Sequence, residues 1–188
     1  MTPSQRILVL GGTRSGKSAY AEALVDSSSP VRYVATGRRD PSDADWEARI
    51  DDHRARRPEQ WSTVEASANL AEVIGEESGS TIVDDLGTWL THTFDDLNAW
   101  DSPRGTVGPR VDAVVDAVAA ATGHLILVSP EVGMSVVPET RAGRLFQDEI
   151  GSLNSSLAAV CDSVVLVVAG LPLVLKSSDT PLPRKGRQ

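Results

Sequence analysis

The chain has 188 residues, 40% of them hydrophobic and 23% charged, and a formal net charge of −8. Such a length suits one domain able to bury a substantial core, and the composition is that of a globular chain rather than a disordered or fibrous one. The acidic balance argues against a nucleic-acid partner, and the longest apolar run, Val164 to Leu175, falls short of the roughly 20 residues a membrane-spanning helix needs.

Met1-Thr2-Pro3-Ser4-Gln5 has no basic region leading into a longer apolar stretch, so a cytoplasmic chain without a signal peptide is expected. Arg6-Ile7-Leu8-Val9-Leu10 then predicts a buried strand. It runs into Gly11-Gly12-Thr13-Arg14-Ser15-Gly16-Lys17-Ser18, and Ala19 to Val25 read as a helix. Strand, G-x-x-x-x-G-K-S and helix, in that order, are the context of a phosphate-binding loop. The glycines let the backbone fold around an anion with successive N–H groups aimed at phosphate oxygens, and the positive end of the helix dipole adds to the attraction. In such a loop Lys17 reaches the β- and γ-phosphates and the Ser18 hydroxyl ligates Mg²⁺. The bland alternative is a glycine-rich turn that binds nothing. The complete spacing between strand and helix speaks for nucleoside triphosphate binding.

Val31 to Ala35 predicts a second strand, ending at Thr36-Gly37. A helix is expected from Ser42, a candidate N-cap, to about Arg56, with Pro58 stopping it. Ser62 to Glu65 suggests a short strand, Asn69 to Glu77 a short helix, and Thr81 to Asp84 a third buried strand. A helix over Leu86 to Leu97, a loop over Asn98 to Pro109 and a helix over Val111 to Thr122 follow. His124 to Val128 predicts a strand, Ser129 to Pro138 a loop and Glu139 to about Ala159 a long helix. The single Cys161 excludes an internal disulfide and suits a reducing compartment. The apolar run after it reads as a central strand, Ser163 to Val168, with its continuation and a candidate last strand at Leu173 to Leu175. Residues 177–188 have no apolar pattern and predict a disordered tail behind a single catalytic domain over residues 1–176. Strands alternating with helices predict an α/β fold, a mostly parallel sheet flanked by helices with P-loop NTPase architecture. Ligands in such sheets bind beyond the carboxyl ends of the strands.

Asp84 closes an apolar strand, the place of a Mg²⁺-associated acid opposite a phosphate loop; a capping role for the next helix is the other reading. Asp84-Asp85-Leu86-Gly87 also fits a switch D-x-x-G, but no Asn-Lys-x-Asp follows, which argues against a Ras-like switch. The segment Arg49-Ile50-Asp51-Asp52-His53-Arg54-Ala55-Arg56-Arg57-Pro58 is more unusual. On a helix Arg49, His53 and Arg56 share a face. Neighbouring guanidinium groups disfavour the imidazolium form of His53, and a neutral imidazole can act as a nucleophile. The same arginines suit bidentate phosphate binding. A solvated basic face with an incidental histidine fits the spacing equally well. His92 and His124 lack metal-ligand spacing and read as structural. Glu131 follows a strand and could face the site, Arg141 and Arg144 face either a polyanion or solvent, and Trp46 and Trp61 read as packing residues.

Taken together, these segments resemble the bifunctional adenosylcobinamide kinase/adenosylcobinamide-phosphate guanylyltransferase family of cobalamin biosynthesis. The matching pieces are Gly11 to Ser18, Tyr33 to Thr36, Glu47 to Arg57 with its R-I-x-x-H-R-x-x-R-P, Trp61, Glu65, Val83-Asp84 and Thr88-Trp89-Leu90. Glu131 to Met134, Val137 to Arg141, Arg144 to Asp148, Asn154 and Val167 to Pro172 continue the match, which omits only the tail and the Asn98–Pro109 loop. The phosphate loop is common to many families, whereas the His53 segment combined with Glu131-Val132-Gly133 is far more specific. Two departures stand out: Pro130 where the family usually has Asn, and Asp85-Leu86-Gly87 where it has Cys-Leu-Thr.

The resemblance implies phosphorylation of the hydroxyl on the aminopropanol arm of adenosylcobinamide, then transfer of GMP from GTP to that phosphate. By residue matching, His53 carries the guanylyl group, and Lys17 shares in catalysis. Nucleotide contacts fall on Gly11, Gly12, Thr13, Arg14, Ser15, Gly16, Lys17 and Ser18, on Ala35, Thr36 and Gly37, on Arg54, Ala55, Arg56 and Arg57, and on Glu65 and Asp84. Ser18 and Asp84 would hold Mg²⁺. GTP serves the transfer, and GTP or ATP the phosphorylation. The resemblance also implies a RecA-like fold and a homo-oligomer similar to known trimers. The rival readings are a P-loop kinase of another small metabolite, with His53 a bystander, and a nucleotide-binding regulator without turnover.

Overall fold

A computed structural model describes residues 5–26, 28–39, 42–55, 57–66, 68–76 and 79–177, the side chains of residues 46, 49, 52 and 53 excepted. The elements begin with β1 (Gln5–Gly11), α1 (Lys17–Ala23), β2 (Val31–Ala35), α2 (Ala44–Ala55), β3 (Ser62–Glu65), α3 (Leu70–Gly75) and β4 (Ser80–Asp84). They continue with α4 (Leu86–Asp96), α5 (Gly108–Ala120), β5 (His124–Pro130), α6 (Arg141–Val160), β6 (Ser163–Val168) and β7 (Leu171–Lys176). All the strands form one sheet in the order β3-β2-β4-β5-β1-β6-β7. Each neighbouring pair is parallel except β6 and β7, which are antiparallel. The expected α/β fold is the one observed. The tail beyond Ser177 lies outside the described residues.

Successive strand side chains point to opposite faces, and this alternation builds two cores. Leu8 and Leu10 of β1 join Val83 of β4 and Leu127 of β5 in the larger core, closed by α3, α4, α5 and α6. Ile7 and Val9 join Tyr33, Ile82, Ile126 and Val128 in the smaller one, against Ala21 of α1 and Trp61. The covering helices are amphipathic: α5 buries Val111, Val114 and Val118, and α6 buries Ile150, Leu153, Asn154 and Leu157, all near helical spacing. Helix α6 is capped at both ends. Thr140 accepts from the Gly143 N–H at its start, and the Lys176 ammonium donates to the carbonyls of Ala158, Ala159 and Cys161 at its end. Cys161 is buried there, and burial pushes its thiol up to about 12. Helix α2 is different. None of its described side chains is buried.

Three expectations change. The run from Val164 to Leu175 doubles back as a hairpin instead of continuing. Ala169 and Gly170 both adopt positive φ, 51° and 79°, as a two-residue turn matched to strand twist requires. Strand β5 runs on through Ser129 and Pro130 to pair with Leu10 and Gly11. Proline is accommodated at this end because the next N–H, of Glu131, donates to the Gly11 carbonyl at 3.1 Å. Helix α1 starts at Lys17, two residues earlier than its apolar pattern, because Gly16 at φ 92° turns the loop directly into it.

The buried centre of the sheet sets stability. Leu127→Ala, at a position with 0% exposure, is expected to cost about 2–5 kcal/mol in chemical denaturation. Asp116→Ala on the exposed side of α5 should stay within about 0.5 kcal/mol of wild type.

Candidate nucleotide and acceptor site

The phosphate loop links β1 to α1 between the carboxyl ends of β5 and β6. Arg14 and Gly16 take positive φ, 55° and 92°, so the chain reverses tightly. Four loop carbonyls are engaged: Gly11 by the Glu131 N–H, Gly12 by Ser15, Ser15 by Gly170 and Gly16 by Tyr20. Gly170 sits so close that a Cβ on Gly16 would lie 3.3 Å from its Cα. Gly12, Thr13 and Arg14 form the exposed crown, while Ser15 and Lys17 are buried.

Lys17, Ser18, Ala35, Gly37, Arg54, Arg57, Glu65 and Asp84 line one cavity. Residues on β2, α2, β3, β4 and the phosphate loop therefore converge there. Thr36 is fully buried, and its hydroxyl donates to the Asp85 carbonyl at 2.7 Å. Ala55 is exposed and does not line the cavity. Arg56 and the side chains of His53, Arg49 and Trp46 lie outside the described residues. The His53 backbone belongs to α2, between Ile50 and Arg54, which both line the cavity.

Asp84 meets the phosphate loop directly. The Ser18 hydroxyl donates to its Oδ1 at 3.2 Å, and the Tyr33 phenol donates to Oδ2 at 2.5 Å. Capping of α4 falls to the neighbouring acid, since Asp85 accepts from the Thr88 N–H at 2.8 Å. The peptide between Asp84 and Asp85 is cis. An aspartate and a hydroxyl at this spacing are hard oxygen donors of the kind that hold Mg²⁺ alongside phosphates.

Other candidates have structural partners. The Arg141 guanidinium donates to the carbonyls of Trp100 and Ser102, and Arg144 to those of Pro138 and Glu139, so both arginines pin loops. Glu131 turns back to accept from the Gly133 N–H at 2.7 Å. Trp61 packs against Tyr33, with ring centroids 6.3 Å apart. His92 accepts from the Arg38 N–H at 3.3 Å; burial and the Arg38 charge lower its pKa, and burial lowers that of His124. Neither lines the cavity. Tyr33, Arg39, Ile50, Thr63, Asp85 and Thr88 also line the cavity and were not anticipated as site residues. For Tyr33 a signal existed: a tyrosine in a buried strand needs a hydroxyl partner.

This geometry defines a P-loop enzyme with an acid-bearing strand and a basic helix segment gathered over its phosphate loop. A family model for cobinamide kinase / cobinamide phosphate guanyltransferase matches residues 7–175. The bifunctional adenosylcobalamin biosynthesis protein CobP of Pseudomonas aeruginosa is 40% identical over 175 residues, covering 91% of this chain and 97% of that protein. The CobU protein of Escherichia coli, named for the same bifunctional role, is 38% identical over 181 residues, covering 90% and 99%. Its Salmonella typhimurium counterpart is 34% identical over 181 residues, with the same coverage of 90% and 99%. The chain belongs to the cobinamide kinase / cobinamide phosphate guanyltransferase family. It is a nucleotide-using transferase of cobalamin biosynthesis with kinase and guanylyltransferase activities, which sets aside a kinase of some other metabolite and a regulator without turnover.

The two departures from the family pattern meet in space. A Cβ on Gly87 would lie 2.5 Å from Pro130 Cγ and 2.9 Å from Cδ, so the glycine makes room for the proline ring. Gly87→Thr alone is expected to destabilise by about 1–3 kcal/mol through overpacking. Combining it with Pro130→Asn should recover most of that loss in thermal unfolding.

Proposed function

We propose that one cavity serves both reactions, with His53 as the residue that becomes guanylylated. The observation that carries this reading is the convergence of Lys17, Ser18, Asp84, Arg54 and Arg57 on a single cavity, with the His53 backbone one residue from Arg54. In the kinase step the acceptor hydroxyl attacks the γ-phosphorus. An O–P bond forms as the bond to the bridging oxygen of the β-phosphate breaks, the nucleoside diphosphate departs held by Lys17 and the loop backbone, and the hydroxyl proton passes to solvent. In the transfer step a neutral His53 imidazole attacks the α-phosphate of GTP. A P–N bond forms as the bond to the β-phosphate breaks, and pyrophosphate departs with its charge held by Lys17 and the arginines. An oxygen of cobinamide phosphate then attacks the same phosphorus, breaking the P–N bond and releasing the GDP-linked corrinoid. Ser18 and Asp84 would hold Mg²⁺, which when bound neutralises charge on the phosphates.

On this reading Gly11 to Ser18, Ala35 to Gly37, Arg54 to Arg57 and Glu65 surround the nucleotide, residues 1–176 act as one catalytic domain, and the location is cytoplasmic. Among the described residues no helix is long and apolar enough to cross a membrane. We also propose a homo-oligomer. Edge strand β7 exposes Leu171, Leu173, Val174 and Leu175, an apolar edge that a second copy would protect.

Incubation with Mg²⁺ and GTP labelled at the α-phosphate, without corrinoid, tests the central claim. Acid-labile label on wild type and none on His53→Ala is the expected result. Equal label on both proteins, or none on folded and active wild type, would return His53 to phosphate binding alone.

A further inference from the structure

We infer that Tyr33 is a positioning residue for the Asp84 carboxylate, holding its orientation toward a divalent cation through the phenol hydrogen bond. The inference rests on the reading of Asp84 as a cation partner. It begins with the place of Tyr33 in the sheet. Strands β2 and β4 are parallel neighbours, with Tyr33 beside Ile82 and Ala35 beside Asp84. The long side chain of Tyr33 thus reaches along its own face to the acid at the strand end. There its hydroxyl donates to Oδ2 at 2.5 Å, while the Ser18 hydroxyl donates to Oδ1 at 3.2 Å. Donors on opposite oxygens fix rotation of the carboxylate. One donor is rooted in the sheet and the other in the first turn of α1.

The phenol is itself held. It is 1% exposed, stacked on Trp61, and covered by the Arg57 guanidinium at 3.6 Å from the ring centroid. Arg57 is fixed in turn by a 3.1 Å hydrogen bond to the Thr63 hydroxyl. A carboxylate only accepts, so the phenol is the donor of this pair. A group that orients a metal-binding carboxylate influences cation affinity without touching the cation. This arrangement also connects Arg57, from the basic segment, with Asp84, opposite the phosphate loop. A structural Tyr33 that only satisfies its own buried hydroxyl would influence folding stability but not cation affinity.

The test compares full-length wild type, Tyr33→Phe and Trp61→Phe. Mn²⁺ binding is measured by electron paramagnetic resonance with a non-hydrolysable GTP analogue, and analogue affinity is measured without cation. Tyr33→Phe keeps the ring, and Trp61→Phe alters the same stack without touching Asp84. The expected result is Mn²⁺ affinity about tenfold or more weaker in Tyr33→Phe, unchanged in Trp61→Phe, and cation-free analogue affinity unchanged in both. In turnover, the Tyr33→Phe defect should fall on the Mn²⁺ concentration required and be rescued at saturating cation. Equal Mn²⁺ affinity in Tyr33→Phe and wild type, or equal weakening in both variants, would overturn the role of the hydroxyl. Wild type that binds the analogue but no Mn²⁺ would overturn the reading of Asp84 as well.

Discussion

The phosphate loop can present its concave side to an anion because carbonyl oxygens at both of its ends are committed elsewhere. Glu131 takes the carbonyl of Gly11, Gly170 that of Ser15, and Tyr20 that of Gly16. Each of these donors comes from a different element, namely the end of β5, the turn of the β6–β7 hairpin and helix α1. The loop is therefore shaped by the sheet as a whole. Beyond it, the Ser18 hydroxyl reaches Asp84 across the intervening strand β5. Pre-formed geometry of this kind spares the protein reorganisation at the moment of reaction.

Opposite this rigid half lies a helix of another kind. Helix α2 buries none of its described side chains, whereas α4 buries Leu86, Trp89, Leu90 and Phe94. A helix with so little apolar contact draws its stability from its ends and from ion pairs such as Arg39 with Glu47 and Asp51. The division suits a bifunctional site. In the proposed scheme the part that grips phosphates is common to both reactions, and the part that carries the guanylyl acceptor is attached to the core only lightly.

Strand order explains what could and could not be read from the chain. The phosphate loop, the segment around His53 and the strand ending at Asp84 are local patterns, and the bounds of β2 and β6 follow from apolar runs closed by polar or glycine-bearing turns. The hairpin after Val168 was hidden because apolar residues continue on both sides of its turn, and only Gly170 marks the reversal. The bond between Tyr33 and Asp84 was hidden for a different reason. It depends on β4 lying beside β2, which no spacing along the chain reveals. The fit of Gly87 against Pro130 is of the same type: each looks like an isolated departure until α4 and β5 are brought together. Arg141 and Arg144 read as facing a polyanion or solvent, and their loop-pinning role appears only once the carbonyls around them are placed.

The lone cysteine gives the molecule a practical property. Cys161 is buried at the end of α6, and its thiol is pushed up to about 12, so almost none of it is the reactive thiolate at neutral pH. The native surface is thus silent toward maleimides and similar reagents. A cysteine introduced on the exposed side of α2 would be the single reactive thiol. A fluorophore placed there would report on the surroundings of that helix, with and without nucleotide, while the native cysteine stays in place.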